Sequence, residues 1–165
     1  MRYQVVVLAS EIGDAIEIES LSWIRGLGGE PQGTFDDFAL YMGLCSSNEL
    51  GLAYDDNYIP GTRILVMSSS SLTTPTVNPN EWFDTTLDTP FWYNGEDNLI
   101  IEIEWSNGLG SLYTWHWDGG GLRCVVGSYG EPNGSYSTNL VPNIRLNGIL
   151  SLSGTTFGRI KAAFI

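Results

Sequence analysis

Cations are scarce in this chain: seven Lys and Arg stand against 19 Asp and Glu in 165 residues, a net charge of −12 at pH 7. Lys161 is the single lysine. Nucleic acid and anionic lipid both recruit clustered Lys and Arg, so this balance argues against either partner. Long apolar runs are also missing. No stretch approaches the ~20 residues that span a bilayer, which argues against membrane insertion. Residues 5–8 make too short a core for an export signal, with Glu11 close behind. Two cysteines are too few for a disulfide scaffold. Cys45 and Cys124 either pair, closing a long loop worth about 4–5 kcal/mol in the chain-entropy model, or remain buried thiols that act as small hydrophobes. Charged residues reach only 16%, well under the globular average of about 25%.

What is present is apolar, aromatic and rich in turn formers. Six Trp, eight Tyr and six Phe exclude disorder, because such a chain buries enough apolar surface to offset its ordering entropy. Its length suits one domain with a substantial core. Twenty Gly, with abundant Ser, Thr and Asn, suit a secreted β-protein better than a cytosolic enzyme. That makes an extracellular or cell-surface mature form, its export signal gone, the expected state.

Period-two alternation and turn punctuation recur from end to end, without a convincing helix. Residues 2–9 form a Val-rich run. In residues 15–24, Ile16 and Ile18 alternate with Glu17 and Glu19, then the register shifts to Leu21 and Trp23, which implies a bulge near Ser20. Residues 26–33 hold four glycines and Pro31 and read as a loop. Phe38, Leu40 and Met42 alternate in the next strand, and Ser46 or Ser47 offers a cap for a helical turn over 46–50. Residues 54–61 look polar and turn-like, and residues 68–80 read as a Ser/Thr/Pro/Asn loop. Residues 82–87 read as a strand broken at Pro90. Residues 98–105 place Leu99, Ile101, Ile103 and Trp105 on one face and Ile100, Glu102 and Glu104 on the other. Residues 112–117, 122–126 and 137–146 complete the set. Roughly ten short strands predict an all-β chain, an antiparallel β-sandwich or jelly roll. It spans residues 1–148, with residues 149–165 as a final strand or an extended inter-subunit arm carrying Phe157, Ile160, Ala162 and Phe164.

Chemistry is less legible. His116 is the only histidine, and no Gly-x-Ser-x-Gly or other signature pairs it with a nucleophile. Glu102 and Glu104 lie about 7 Å apart by strand rise, within glycosidase spacing. Any Glu-x-Glu on an exposed sheet face meets that spacing, and the solvated-face reading is preferred. Asp55, Asp56 and Asn57 supply the hard oxygen ligands that Ca²⁺ takes, or simply bond their own turn. Trp92, Tyr93, Tyr113, Trp115 and Trp117 offer flat apolar faces to a glycan, or fill the sandwich core. Trp115 and Trp117 would point the same way on one strand, with Tyr113 on the same face and that face directed inward.

The order Arg2-Tyr-Gln-Val-Val-Val-Leu-Ala-Ser-Glu-Ile-Gly, Ile16…Leu21-Ser-Trp, Phe38…Tyr41-Met-Gly, Trp82-Phe, Thr89-Pro-Phe-Trp-Tyr-Asn-Gly and Asn98-Leu-Ile-Ile-Glu-Ile resembles a known domain. This is a β-sandwich domain of large secreted and cell-surface proteins from Bacteroidetes-related bacteria, often exported by type IX secretion. The resemblance runs from about Arg2 to Leu146, and its most specific stretch is Pro-Phe-Trp-Tyr-Asn-Gly…Asn-Leu-Ile-Ile-Glu-Ile. It implies an extracellular location and a noncatalytic role, with no catalytic residues to transfer. Such domains usually sit inside longer proteins, so a chain of this length implies an excised piece or the repeating subunit of an assembly. The expected function is therefore a structural or adhesive domain, a filament subunit joined to copies of itself by strand exchange. A carbohydrate-binding module is the alternative. No cofactor is expected beyond Ca²⁺, and the expected partners are itself, cell-surface components or glycans.

Overall fold

A computed structural model describes residues 1–150. All strand pairs are antiparallel, and the sequence alternation explains their faces. The larger sheet runs β11 (Tyr136–Thr138), β10 (Cys124–Gly127), β1 (Arg2–Val7), β6 (Asn98–Glu104), β3 (Thr34–Cys45), β4 (Ile64–Thr73), with β7 (Asn107–Leu109) also pairing β3. The smaller sheet runs β13 (Ile144–Leu150), β2 (Ile16–Gly29), β5 (Trp82–Tyr93), with β8 (Leu112–Thr114) added to β2. A ribbon of β9 (His116–Asp118) and β12 (Leu140–Pro142) lies apart from both.

Every second residue of each central strand points between the sheets. Val5, Leu40, Met42, Leu99 and Ile101 of the larger sheet meet Ile18, Leu21, Phe83, Phe91 and Tyr93 of the smaller in one buried cluster. The result is the expected antiparallel sandwich. The bulge expected near Ser20 is present, as the pairing of β2 with β5 slips between Ile18 and Ser20.

Several local expectations give way. The glycines of 26–33 do not stop β2 before Gly29, and β4 continues to Thr73 through the Ser-rich stretch. Pro90 does not break β5, because β5 is an edge strand and the missing N–H faces no partner. Residues 112–117 form two strands, not one: Trp115 lies at the break, β8 pairs β2 and β9 pairs β12. Residues 137–146 likewise divide into β11, β12 and β13, carrying the chain from one sheet to the other. No helical turn forms over 46–50. A short helix, α1 (Ala9–Ile12), and a 3-10 turn at Asp55–Asn57 appear instead. Among the described residues no helix is long and apolar enough to cross a membrane. Phe157, Ile160, Ala162 and Phe164 lie outside the described residues.

The outer face of the larger sheet is covered as well. Residues 46–63 fold back across it and bury Leu50, Tyr54 and Tyr58 against Val6, Cys45, Ile100 and Val125. Gly43 makes room for this cover, since a Cβ there would stand 2.6 Å from Tyr58 Cδ1.

Candidate functional site

The two faces of the larger sheet provide two sites of opposite character. On the outer face Glu102 is wholly buried, at 0% exposure, which corrects the solvated-face expectation. The pattern of β6 does set Ile100, Glu102 and Glu104 on the outer side, but the cover of residues 46–63 turns that side into a second interior. Oε1 of Glu102 accepts from Arg2 Nε at 3.0 Å, Arg2 Nη2 at 2.8 Å and Arg63 Nη2 at 2.8 Å. Its Oε2 accepts from Gln4 Nε2 at 2.9 Å and the Tyr58 hydroxyl at 3.0 Å. Each arginine also stacks on a ring, Arg2 on Tyr54 at 4.2 Å and Arg63 on Tyr41 at 3.7 Å. Burial, then the neighbouring carboxylate, pushes the Tyr58 hydroxyl well above its ordinary range. With its lone pairs committed to five donors, Glu102 has none left for a substrate proton. The cluster holds the cover on the sheet.

Asp55, Asp56 and Asn57 belong to that cover. Asn57 accepts from Gly51 N at 2.8 Å and donates to Gln4 Oε1 at 2.7 Å and Gly51 O at 2.9 Å, so its amide is spent on the turn. Asp55 faces Arg2 Nη2 at 3.6 Å. Among the described residues no three His, Cys, Asp or Glu side chains gather closely enough to hold a metal ion.

Cys45 and Cys124 are both buried and free, which corrects the paired alternative. They sit on opposite faces of the larger sheet, Cys45 in the outer cluster and Cys124 in the inter-sheet core. Burial raises the Cys124 thiol to about 11, although the hydrogen bond with the Tyr3 hydroxyl and the Arg123 charge act the other way.

Between the sheets, at the end where β1 begins and β6 finishes, lies an open cleft of about 680 Å³. Its walls are aromatic. Trp23 and Phe83 stack at 6.1 Å on one side, and Phe35 meets Trp105 edge-on at 5.2 Å on the other. The β7–β8 segment bridges the two sheets over it, because β7 pairs β3 while β8 pairs β2. Leu112, Tyr113, Tyr136 and Leu140 also line the cleft, with His116 and Pro142, which pair with each other across the β9–β12 ribbon. A second recess of about 840 Å³ runs beside β13, lined by Trp82, Trp117, Ile144, Leu146 and Leu150 with Glu11 and Asp14.

The five expected aromatics are dispersed. Tyr93 is fully buried, its hydroxyl donating to Asp97 O at 2.7 Å, which corrects its place in a glycan surface. Trp92 is 56% exposed on an edge strand opposite Glu17. Tyr113, 60% exposed, belongs to the cleft, Trp117 to the second recess, and Trp115 donates to Asn80 Oδ1 at 2.8 Å. Core filling by Tyr113, Trp115 and Trp117 is overturned, since the break at Trp115 takes them out of one strand and leaves all three exposed. His116 is exposed, with its Nδ1 3.4 Å from Thr114 O.

Sequence reasoning missed the cleft because its walls come from eight separate segments. It missed the Glu102 cluster because positions 2, 4, 58, 63 and 102 share no local pattern. Fold and site together define an antiparallel sandwich with a sealed charge cluster on one face and an open aromatic cleft on the other. Compared with family models, with curated proteins and with solved structures, the chain matches none.

Proposed function

We propose that this chain is a noncatalytic structural or adhesive domain that works outside the cell, as the repeating subunit of a surface assembly. The observation that carries the reading is the open, aromatic-walled cleft between the sheets. A cleft of that volume walled by aromatic side chains is a place for a binding partner. The most charge-rich cluster is committed to internal hydrogen bonds, so it supports stability rather than turnover. Scarce lysine, abundant Gly, Ser, Thr and Asn, and the resemblance to secreted bacterial domains support the location.

Carbohydrate binding is the second reading, favoured by the exposed rings of Trp92, Tyr113, Trp115 and Trp117. Sedimentation of the full chain over a range of concentrations, beside a glycan array, separates the two. The structural reading expects self-association that Leu112→Arg abolishes while the near-UV circular dichroism persists. The glycan reading expects an array signal lost in Trp92→Ala or Trp115→Ala without loss of fold. A chain that stays monomeric and binds no glycan overturns both.

A further inference from the structure

We infer that the inter-sheet cleft is the acceptor for residues 151–165 of a second copy of this chain, so that copies join head to tail. This rests on the assembly reading above and names the partner at the same site. Three observations carry it: chain direction, charge and the pattern of the segment itself.

β13 runs antiparallel to β2, from Ile144 opposite Trp23 to Leu150 opposite Ile16. Trp23 lines the cleft, whereas Ile16 and Leu150 pair at the opposite end of β2. Six strand steps separate those ends, roughly 20 Å at ~3.3 Å per residue. The chain therefore reaches residue 150 heading away from its own cleft, a direction that suits a neighbour's cleft as the acceptor. A donor at one end and an acceptor at the other make a heterologous contact, which propagates into a filament.

Charge agrees. All 19 acidic residues of the chain fall within residues 1–150, against five arginines, leaving −14 there, while Arg159 and Lys161 give the segment +2. No Lys or Arg lines the cleft. No Asp or Glu lines it either, so the charge match is with the strongly acidic sandwich as a whole. In the segment, Ile160, Ala162 and Phe164 alternate with Arg159, Lys161 and Ala163. That period-two pattern offers an apolar row to the aromatic walls and a cationic row to the acidic sandwich around them.

Full-length variants test this. Ile160→Asp/Phe164→Asp disables the donor and leaves the cleft intact. Leu112→Arg, or Tyr136→Asp on a separate strand of the lining, disables the acceptor and leaves the donor intact. Near-UV circular dichroism confirms folding, and sedimentation equilibrium reads association. Wild type is expected to form open-ended oligomers, each variant alone to associate at least tenfold more weakly, and a donor-disabled chain mixed with an acceptor-disabled chain to stop at a heterodimer. If the donor variant assembles like wild type while both acceptor variants do not, the occupant is something else and this inference falls, with the assembly reading intact. If neither class of variant alters wild-type assembly, the cleft is not the contact and both fall. A wild-type chain monomeric at every concentration also overturns the inference.

Discussion

Glu102 shows how one buried carboxylate organises its surroundings. Removing its charge leaves Arg2 and Arg63 facing each other across an interior with no anion between them. Breaking a buried pair in this way costs about 3–5 kcal/mol. Glu102→Gln is therefore expected to lower the stability read from the urea midpoint by that order, whereas Glu96→Gln on an exposed turn changes it little. The sequence pattern located Glu102 on the outer side of β6, but burial depended on Tyr54 and Tyr58 arriving from a segment that looks polar. Tyr54 also sets a limit at high pH. Burial raises its hydroxyl to about 12, with the Arg2 charge opposing. Folded proteins in which a tyrosine titrates late are stabilised below the ordinary value of 10 and lose that contribution as pH climbs from 10 toward 12. Absorbance of the phenolates should show Tyr54 ionising after the exposed tyrosines, and stability should fall through that window. The two thiols follow the same logic. Cys45 and Cys124, both raised by burial, should ignore a thiol reagent in the native protein and react fully in denaturant.

Elements with a clean alternation were legible. The expected strand over 98–105 is β6, displaced by one residue at its end, and the strand around Phe38, Leu40 and Met42 is β3. Elements whose limits depend on a neighbour were not. β5 passes through Pro90 because it borders the sheet, and the strand expected over 112–117 splits because its halves pair with different partners. Gly43 illustrates a constraint that propensity does not carry. Gly43→Ala would push against the Tyr58 ring and the Arg63 backbone, at 2.6 Å and 3.1 Å. Overpacking of this kind costs about 1–3 kcal/mol, and thermal unfolding of the variant should show it. The short helix α1 is fixed to β10 by Glu11, which accepts from Arg123 at 2.8 and 2.5 Å and from Leu8 N at 2.9 Å. Burial raises the Glu11 carboxyl, but those hydrogen bonds and the Arg123 charge outweigh it, so its net shift is downward from 4.5. A depressed carboxyl contributes stability above its unfolded value and loses it as pH falls through the folded one. Urea midpoints should therefore decline below about pH 4.5, and Glu11→Gln should remove part of that decline.

At the scale of the whole molecule, β1 lies between β6 and β10, so the first strand waits for residues a hundred positions later. Long-range pairing of this kind sets folding in the millisecond-to-second range, roughly, and stopped-flow Trp fluorescence should find no microsecond route to the native state. The sandwich as a class was readable from alternation and turns, while the cleft arises only from how the sheets diverge and how β7 and β8 bridge them. Met1 belongs to the lining of that opening, its ammonium donating to Trp105 O at 2.5 Å. An affinity tag or carrier fused ahead of Met1 would emerge at the aromatic mouth and crowd it, so reporters and labels belong elsewhere on the molecule. The tip of the hairpin near Glu96, at the distal pole, is a better attachment point for any surface display or pull-down experiment.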